Sequence, residues 1–169
     1  MFKPNVNEYD ERLSRYIDLV PDEDISLQFS SSANYEFFKS IPVEKQKFRY
    51  LENKWNIKEM LSHIIDCERL FNFRALWIAR GMLPEQPGYD ENRAAEHSNA
   101  NDREYKDILE EYYFVRKSTE LLYKSFNNEI LLKMGKYGGK FASVKALAFV
   151  ILGHELHHIK IIKQKYLEV

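Results

Sequence analysis

Two stretches of this chain are committed to long helices, and they confine the fold more than any other feature. From Ile57 to Arg80 there is neither glycine nor proline. Within that run Met60, His63, Cys67, Leu70, Arg74 and Trp77 step by three or four residues, which places them on one helical face. A neighbouring row of Ile57, Leu61, Ile64, Phe71, Ala75 and Ile78 widens the buried stripe. Asn56 followed by Glu59 has the spacing of a capping box, in which each side chain satisfies the other's free backbone N–H. Gly81 is a natural stop, and Pro84 and Pro87 follow it. The second stretch opens at Ser143, a good helix cap, and carries Val144, Leu147, Ile151, His154, His158 and Ile161 along one face.

The remaining segments fill out the architecture. Asn101 and Glu104 repeat the capping-box spacing ahead of a stripe of Tyr105, Ile108, Tyr112, Val115, Thr119, Leu122 and Phe126. A further helix is expected from Asp22 to Ile41, closed by Pro42 and carrying Ser30, Ser31 and Ser32 in its middle. Residues 1–21 read as an arm lying on the domain, and 127–140, with Gly135, Gly138 and Gly139, as a turn-rich loop. Residues 82–100 form a connection long enough to suggest a functional role. Six glycines and five prolines in 169 residues leave room for few breaks. The expectation is an all-α protein, an antiparallel four-helix bundle with a long connection between helices two and three, forming one domain over 1–169.

Charge and cysteine content narrow the function. Lys plus Arg is 25 against 26 for Asp plus Glu, so there is no electrostatic footprint for nucleic acid and no drive toward anionic lipid. The apolar run from Phe141 to Gly153 is interrupted by Lys145 and is too short to span a bilayer. Cys67 is the only cysteine, so no intrachain disulfide can form, and the charged N-terminal segment lacks the apolar core of a signal peptide. A cytoplasmic location is expected.

The histidines carry the chemistry. His154 and His158 are four residues apart on a helix, so their rings emerge on the same side, within the apolar seam. His63 sits on the other long seam, between Met60 and Cys67. Three buried imidazoles need partners, since an unpaired buried polar group costs roughly 1–3 kcal/mol. A divalent metal satisfies all three at once and leaves a coordination position for a small molecule. His157 falls off the seam and His97 lies in the long connection, so neither is expected to ligate. His154 to His158 also spell H-E-x-x-H, in which Glu155 would act as the base of a zinc protease. The extended protease signature fails here, with Ile161 and Gln164 where a glycine and a third histidine belong.

Three segments together resemble the DinB-like superfamily of damage-inducible and YfiT-like bundle proteins. They are KWNIKEMLSHIIDCERLFNFRALWIARG at 54–81, PGYDEN at 87–92 and SVKALAFVILGHELHHIKIIKQKY at 143–166. The pairing of W-x-x-x-x-x-L-x-H-x-x-D-x-E with a late G-H-x-x-H-H is characteristic of that group. The resemblance implies an antiparallel four-helix bundle, often dimeric, with zinc or nickel on the residues matching His63, His154 and His158. Many members carry a glutamine three residues after the last ligand, where this chain has Ile161.

Relatives of this kind join low-molecular-weight thiols to electrophiles, isomerise substrates with a thiol cofactor, or are assigned as metal-dependent hydrolases. The leading expectation is therefore a metal-dependent S-transferase for a small thiol such as bacillithiol. Hydrolysis with Asp66 or Glu155 as base, and a non-catalytic binding module, are the alternatives. Asp66 lies one turn beyond His63 and could instead orient that ring or be a solvated acid; Cys67 reads as a small core residue that could approach the metal. The expected partners are a small-molecule substrate and a second copy of the chain in a homodimer, the latter also suggested by 11 Tyr, 11 Phe and 2 Trp.

Overall fold

The computed structural model describes residues 1–82 and 84–168. The fold is mostly helical, with α1 (Ser14–Ile17), α2 (Ile25–Ser30), α3 (Ala33–Lys39), α4 (Val43–Gln46), α5 (Ile57–Ala79), α6 (Glu91–Glu96), α7 (Tyr105–Lys124), α8 (Asn128–Leu131) and α9 (Val144–Ile162). Between α8 and α9 lies an antiparallel hairpin of β1 (Met134–Tyr137) and β2 (Lys140–Ser143), in register from Met134 opposite Ser143 to Tyr137 opposite Lys140. The long helices do most of the packing. Helix α5 lies against both α7 and α9, and α2 and α3 close the remaining side against α7.

Local chemistry explains where the long helices begin. The capping box at the start of α5 is formed, Glu59 N–H donating to Asn56 Oδ1 at 3.0 Å and Asn56 N–H to Glu59 Oε2 at 2.8 Å. Ser143 caps α9 by accepting from Ala146 N–H at 2.9 Å. Gly81 ends α5 with φ +69°, the left-handed geometry glycine adopts freely. The stripes of α5 and α9 are the core: Ile57, Leu61, Ile64, Leu147, Ala148 and Phe149 are all at most 1% exposed.

Four expectations need correction. The helix expected over Asp22–Ile41 is two helices, α2 and α3, broken where Ser31 turns to extended backbone (φ −66°, ψ 136°). A run of three serines has little helix preference, and the Ser31 hydroxyl bonds the Ala33 N–H instead. The arm of residues 1–21 is part of the core, since Leu13, Ile17 and Val20 are buried and α1 packs on α9. The glycine-bearing loop before α9 holds α8 and the hairpin, so the fold is not purely helical. Asn101 and Glu104 form no capping box: Glu104 precedes α7 without a side-chain cap, while Asn101 bonds Asn56 and Glu59 at 2.7 Å each, tying the long connection to α5.

Candidate metal centre

The seams of α5 and α9 face each other, and they bring His63, His154 and His158 together. Nε2 of His154 lies 3.1 Å from Nε2 of His63 and 3.1 Å from Nε2 of His158. One ligand nitrogen from each ring falls within 4.8 Å of the others. All three residues are buried. Burial lowers the pKa of His63 to about 4. Burial, reinforced by His63 and His157, lowers that of His158 to about 3. His154 is held well below the ordinary value by burial first and by its two neighbours second. The rings are therefore neutral near pH 7.

Hydrogen bonding among the rings does not account for this convergence. An imidazole nitrogen has one in-plane site, either a lone pair or an N–H, so His154 Nε2 cannot serve both neighbours. A divalent ion with nitrogen ligands at 2.0–2.1 Å and tetrahedral angles sets them about 3.3 Å apart, close to what is found. The donor set, three neutral imidazoles, suits divalent transition metals such as zinc, copper, iron and nickel alike. The residues fit the group. His158 Nδ1 is buried without a partner among the described residues, and the His63 ring has Cys67 Sγ 3.7 Å from Nε2.

The centre opens into a cavity of about 660 Å³. Trp55, named above only within a motif, stands over it with its ring centroid 4.6 Å from that of His63. Tyr16 meets His154 edge-on at 5.3 Å and His157 at 5.6 Å. Its position depends on Gly153, where a Cβ would lie 2.0 Å from the Tyr16 carbonyl oxygen. Only glycine lets α1 come this close to α9. The opposite wall comes from the long connection and the hairpin. Gly138 N–H donates to Gln86 O at 2.9 Å, and Gly138 (φ +53°) sits so near Gly88 that a Cβ would be 3.0 Å from the Gly88 Cα. Gly88, Tyr89 and Glu91, from the 87–92 segment, line the cavity.

The other expected site residues lie elsewhere. Glu155 projects from a different side of α9 and does not line the cavity; its carboxylate accepts from Tyr112 Oη and Asn34 Nδ2 (2.7 Å) and pairs with Arg116 at 3.1 Å. Asp66 is half-buried, faces Arg69 at 3.9 Å, and makes no hydrogen bond to the triad among the described residues; burial raises its pKa. Cys67 lines the cavity with its thiol pushed up to about 12, chiefly by burial. His157 lines the rim beside Tyr16, and exposed His97 contacts the Arg93 carbonyl at 2.8 Å away from the cavity. Sequence reasoning missed Tyr16 and Tyr137, which come from segments read as an arm and a loop. It also passed over Arg74, whose signal was a full charge on an apolar seam.

A mostly helical protein with three inward-facing histidines at the floor of one cavity is the class that fold and site define. The chain belongs to the DinB superfamily, whose family model matches residues 27–162. It is similar in fold to YfiT from Bacillus subtilis, described as "a probable metal-dependent hydrolase with an unusual four-helix bundle topology", at a TM-score of 0.72 and 13% identity, over 99% of this chain and 93% of that one. No curated protein matches the chain. No helix among the described residues is long and apolar enough to cross a membrane.

Proposed function

We propose that the chain is a cytoplasmic, antiparallel four-helix-bundle enzyme that uses a divalent ion, zinc or nickel, on His63, His154 and His158 to transfer a low-molecular-weight thiol to an electrophilic small molecule. The observation that carries this reading is the convergence of three neutral imidazole nitrogens at the floor of an open cavity. When bound there, the ion supplies Lewis acidity, lowering the pKa of a coordinated thiol and holding its sulfur in place.

The chain's own residues do the rest. The triad stays unprotonated because it is buried, so its lone pairs are available at neutral pH. Trp55, Phe71 and Tyr16 wall the centre with aromatic surface and restrict water near it. Glu155, tied to Arg116 and Tyr112, has no part in proton transfer. Burial raises the pKa of the Cys67 thiol, so without metal it stays protonated.

Hydrolysis is the second reading, favoured by the description of YfiT. In that case Glu91, which lines the cavity with Tyr89 and Glu11, replaces Asp66 and Glu155 as the base. Incubating metal-loaded protein with panels of thiols plus electrophiles, and separately with esters and amides, decides between them. Chelator-sensitive consumption of thiol is expected. Chelator-sensitive turnover of esters without thiol would establish the hydrolase, and tight binding with neither turnover would leave a non-catalytic module. Nucleic acid and membranes are not partners in this reading. A homodimer is, through the exposed Phe73 and Leu76 of α5 or Phe114 and Leu121 of α7.

A further inference from the structure

Two arginines of this protein are buried, and their surroundings differ in one respect. Arg116 has carboxylates on both sides, Glu68 at 2.9 Å and Glu155 at 3.1 Å. Arg74 is just as deeply placed, 4% exposed, yet no carboxylate of the described residues pairs with it. Among the described residues its one hydrogen bond runs from Nη2 to the Pro87 carbonyl at 3.2 Å, and its Nε, like that of Arg116, is buried without a partner. The guanidinium is held in place by stacking over Tyr137, 4.2 Å from the ring centroid, and beside Phe71, at 5.5 Å. An unpaired buried cation is costly unless something outside the chain supplies its counter-charge.

Arg74 lines the cavity that holds the triad. It stands on the α5 face of His63 and Cys67, and a helical side chain leans toward the N-terminus, so its head reaches back toward the histidines. Phe71 bridges the two, with its ring 5.5 Å from the guanidinium carbon and 6.3 Å from the His154 ring. The cation and the metal centre thus sit at opposite ends of one aromatic-walled space of small-molecule size.

We propose that Arg74 anchors a carboxylate of the molecule that enters this cavity, so that the substrate or thiol is an acid whose reacting end lies at the histidines. The two terminal nitrogens form a planar fork that a carboxylate matches with two parallel hydrogen bonds, and Nη1 makes no hydrogen bond among the described residues. This rests on reading the cavity as a small-molecule site, but it does not require the reaction to be S-transfer.

The test is calorimetric titration with a chain-length series of ω-mercaptoalkanoic acids and their primary amides, on metal-loaded and on chelated protein. The acids should bind about tenfold or more tightly than the amides in both forms, with an optimum chain length that measures the span. R74Q should remove the preference by weakening the acids alone, whereas R15Q and K140Q, at the rim, should keep it. Equal binding of acids and amides by the native protein overturns the proposal, as does a preference that survives R74Q. If R74Q does not fold, R74K decides, because it keeps the charge and loses the fork: an undiminished preference there overturns the proposal. Since the chelated protein is included, failure of the metal reading would leave the acid preference standing, and failure of Arg74 would leave metal binding intact.

Discussion

Helix α9 carries two buried polar clusters on neighbouring faces, and they are built on different plans. On one face Glu155 joins Arg116, Glu68, Tyr112, Thr119 and Asn34, and every carboxylate oxygen of Glu155 and Glu68 has a partner within the chain. On the other, His154 and His158 meet His63 with more nitrogen than mutual hydrogen bonding can use, and Arg74 nearby has no carboxylate partner among the described residues. In its charges the first cluster is closed, although the Nε of Arg116, like that of Arg74, lacks a partner among the described residues, and the second is open. Closed polar clusters hold elements together, whereas open ones are completed by something the chain does not contain. Residues in adjacent positions, His154 and Glu155, therefore belong to different systems.

Substitutions in the two clusters should give opposite patterns. His63→Ala, His154→Ala and His158→Ala should each lose most bound metal, read by elemental analysis of purified protein, while the fold persists. Retention of stoichiometric metal by any of them would break the assignment. Glu155→Ala should do the reverse: metal stays, but stability falls by about 3–5 kcal/mol, because Arg116 and Tyr112 lose a buried partner. Urea unfolding checks this, and loss of metal from a folded Glu155→Ala protein would merge the two clusters.

The open cluster also makes stability depend on pH. The folded pKa values of His63 and His158, about 4 and about 3, lie below the ordinary 6.5, so the unfolded chain binds more protons in acid. Stability from these rings is complete above pH 6.5 and is lost as pH falls toward 4, with a slope of up to about 1.4 kcal/mol per pH unit for each ring. Bound metal adds a further term, because only neutral imidazole ligates, so holo and chelated proteins should melt at converging temperatures as the solution is acidified. Parallel curves with a constant gap would mean that the histidines are not the ligands.

Smaller effects sharpen the boundary. Gly153→Ala forces α1 off α9 and should cost about 1–3 kcal/mol by overpacking, with a changed Tyr16 contact at His154. Thermal melts report it, and an unchanged midpoint would mean that α1 yields freely. His157→Ala and His97→Ala should have the least effect, keeping full metal content; emptying of the site by His157→Ala would put the wrong face of α9 in the cavity.

Much of this was legible in the residues. The 3–4 stepping of α5 and α9 and the caps at Asn56 and Ser143 locate two of the three long helices, and the same stepping puts His63, His154 and His158 on facing seams. Glu155 shows the limit of a motif. H-E-x-x-H places its acid next to a ligand along the chain, but 100° of helical rotation turns it toward Arg116. The walls were not legible, because they depend on pairing between distant segments: Tyr16 against Gly153, and Gly88 against Gly138. Short elements such as α1 and the hairpin have weak periodicity and are set by tertiary contacts. Arg74 was visible on its seam, but only the count of its partners gives it meaning.

The contact of Tyr16 with Gly153 joins segments near opposite ends of the sequence. Closing a loop of that length forfeits chain entropy before any packing is gained, whereas α5 and α9 form largely from local contacts. The wall carrying Tyr16 is therefore expected to open more readily than the long-helix frame in native-state fluctuations. Amide exchange in α1 faster than in α5 would register this directly. On that expectation the histidines stand on the slower-opening frame while the surface above them turns over more quickly, so a ligand could come and go without loosening the triad.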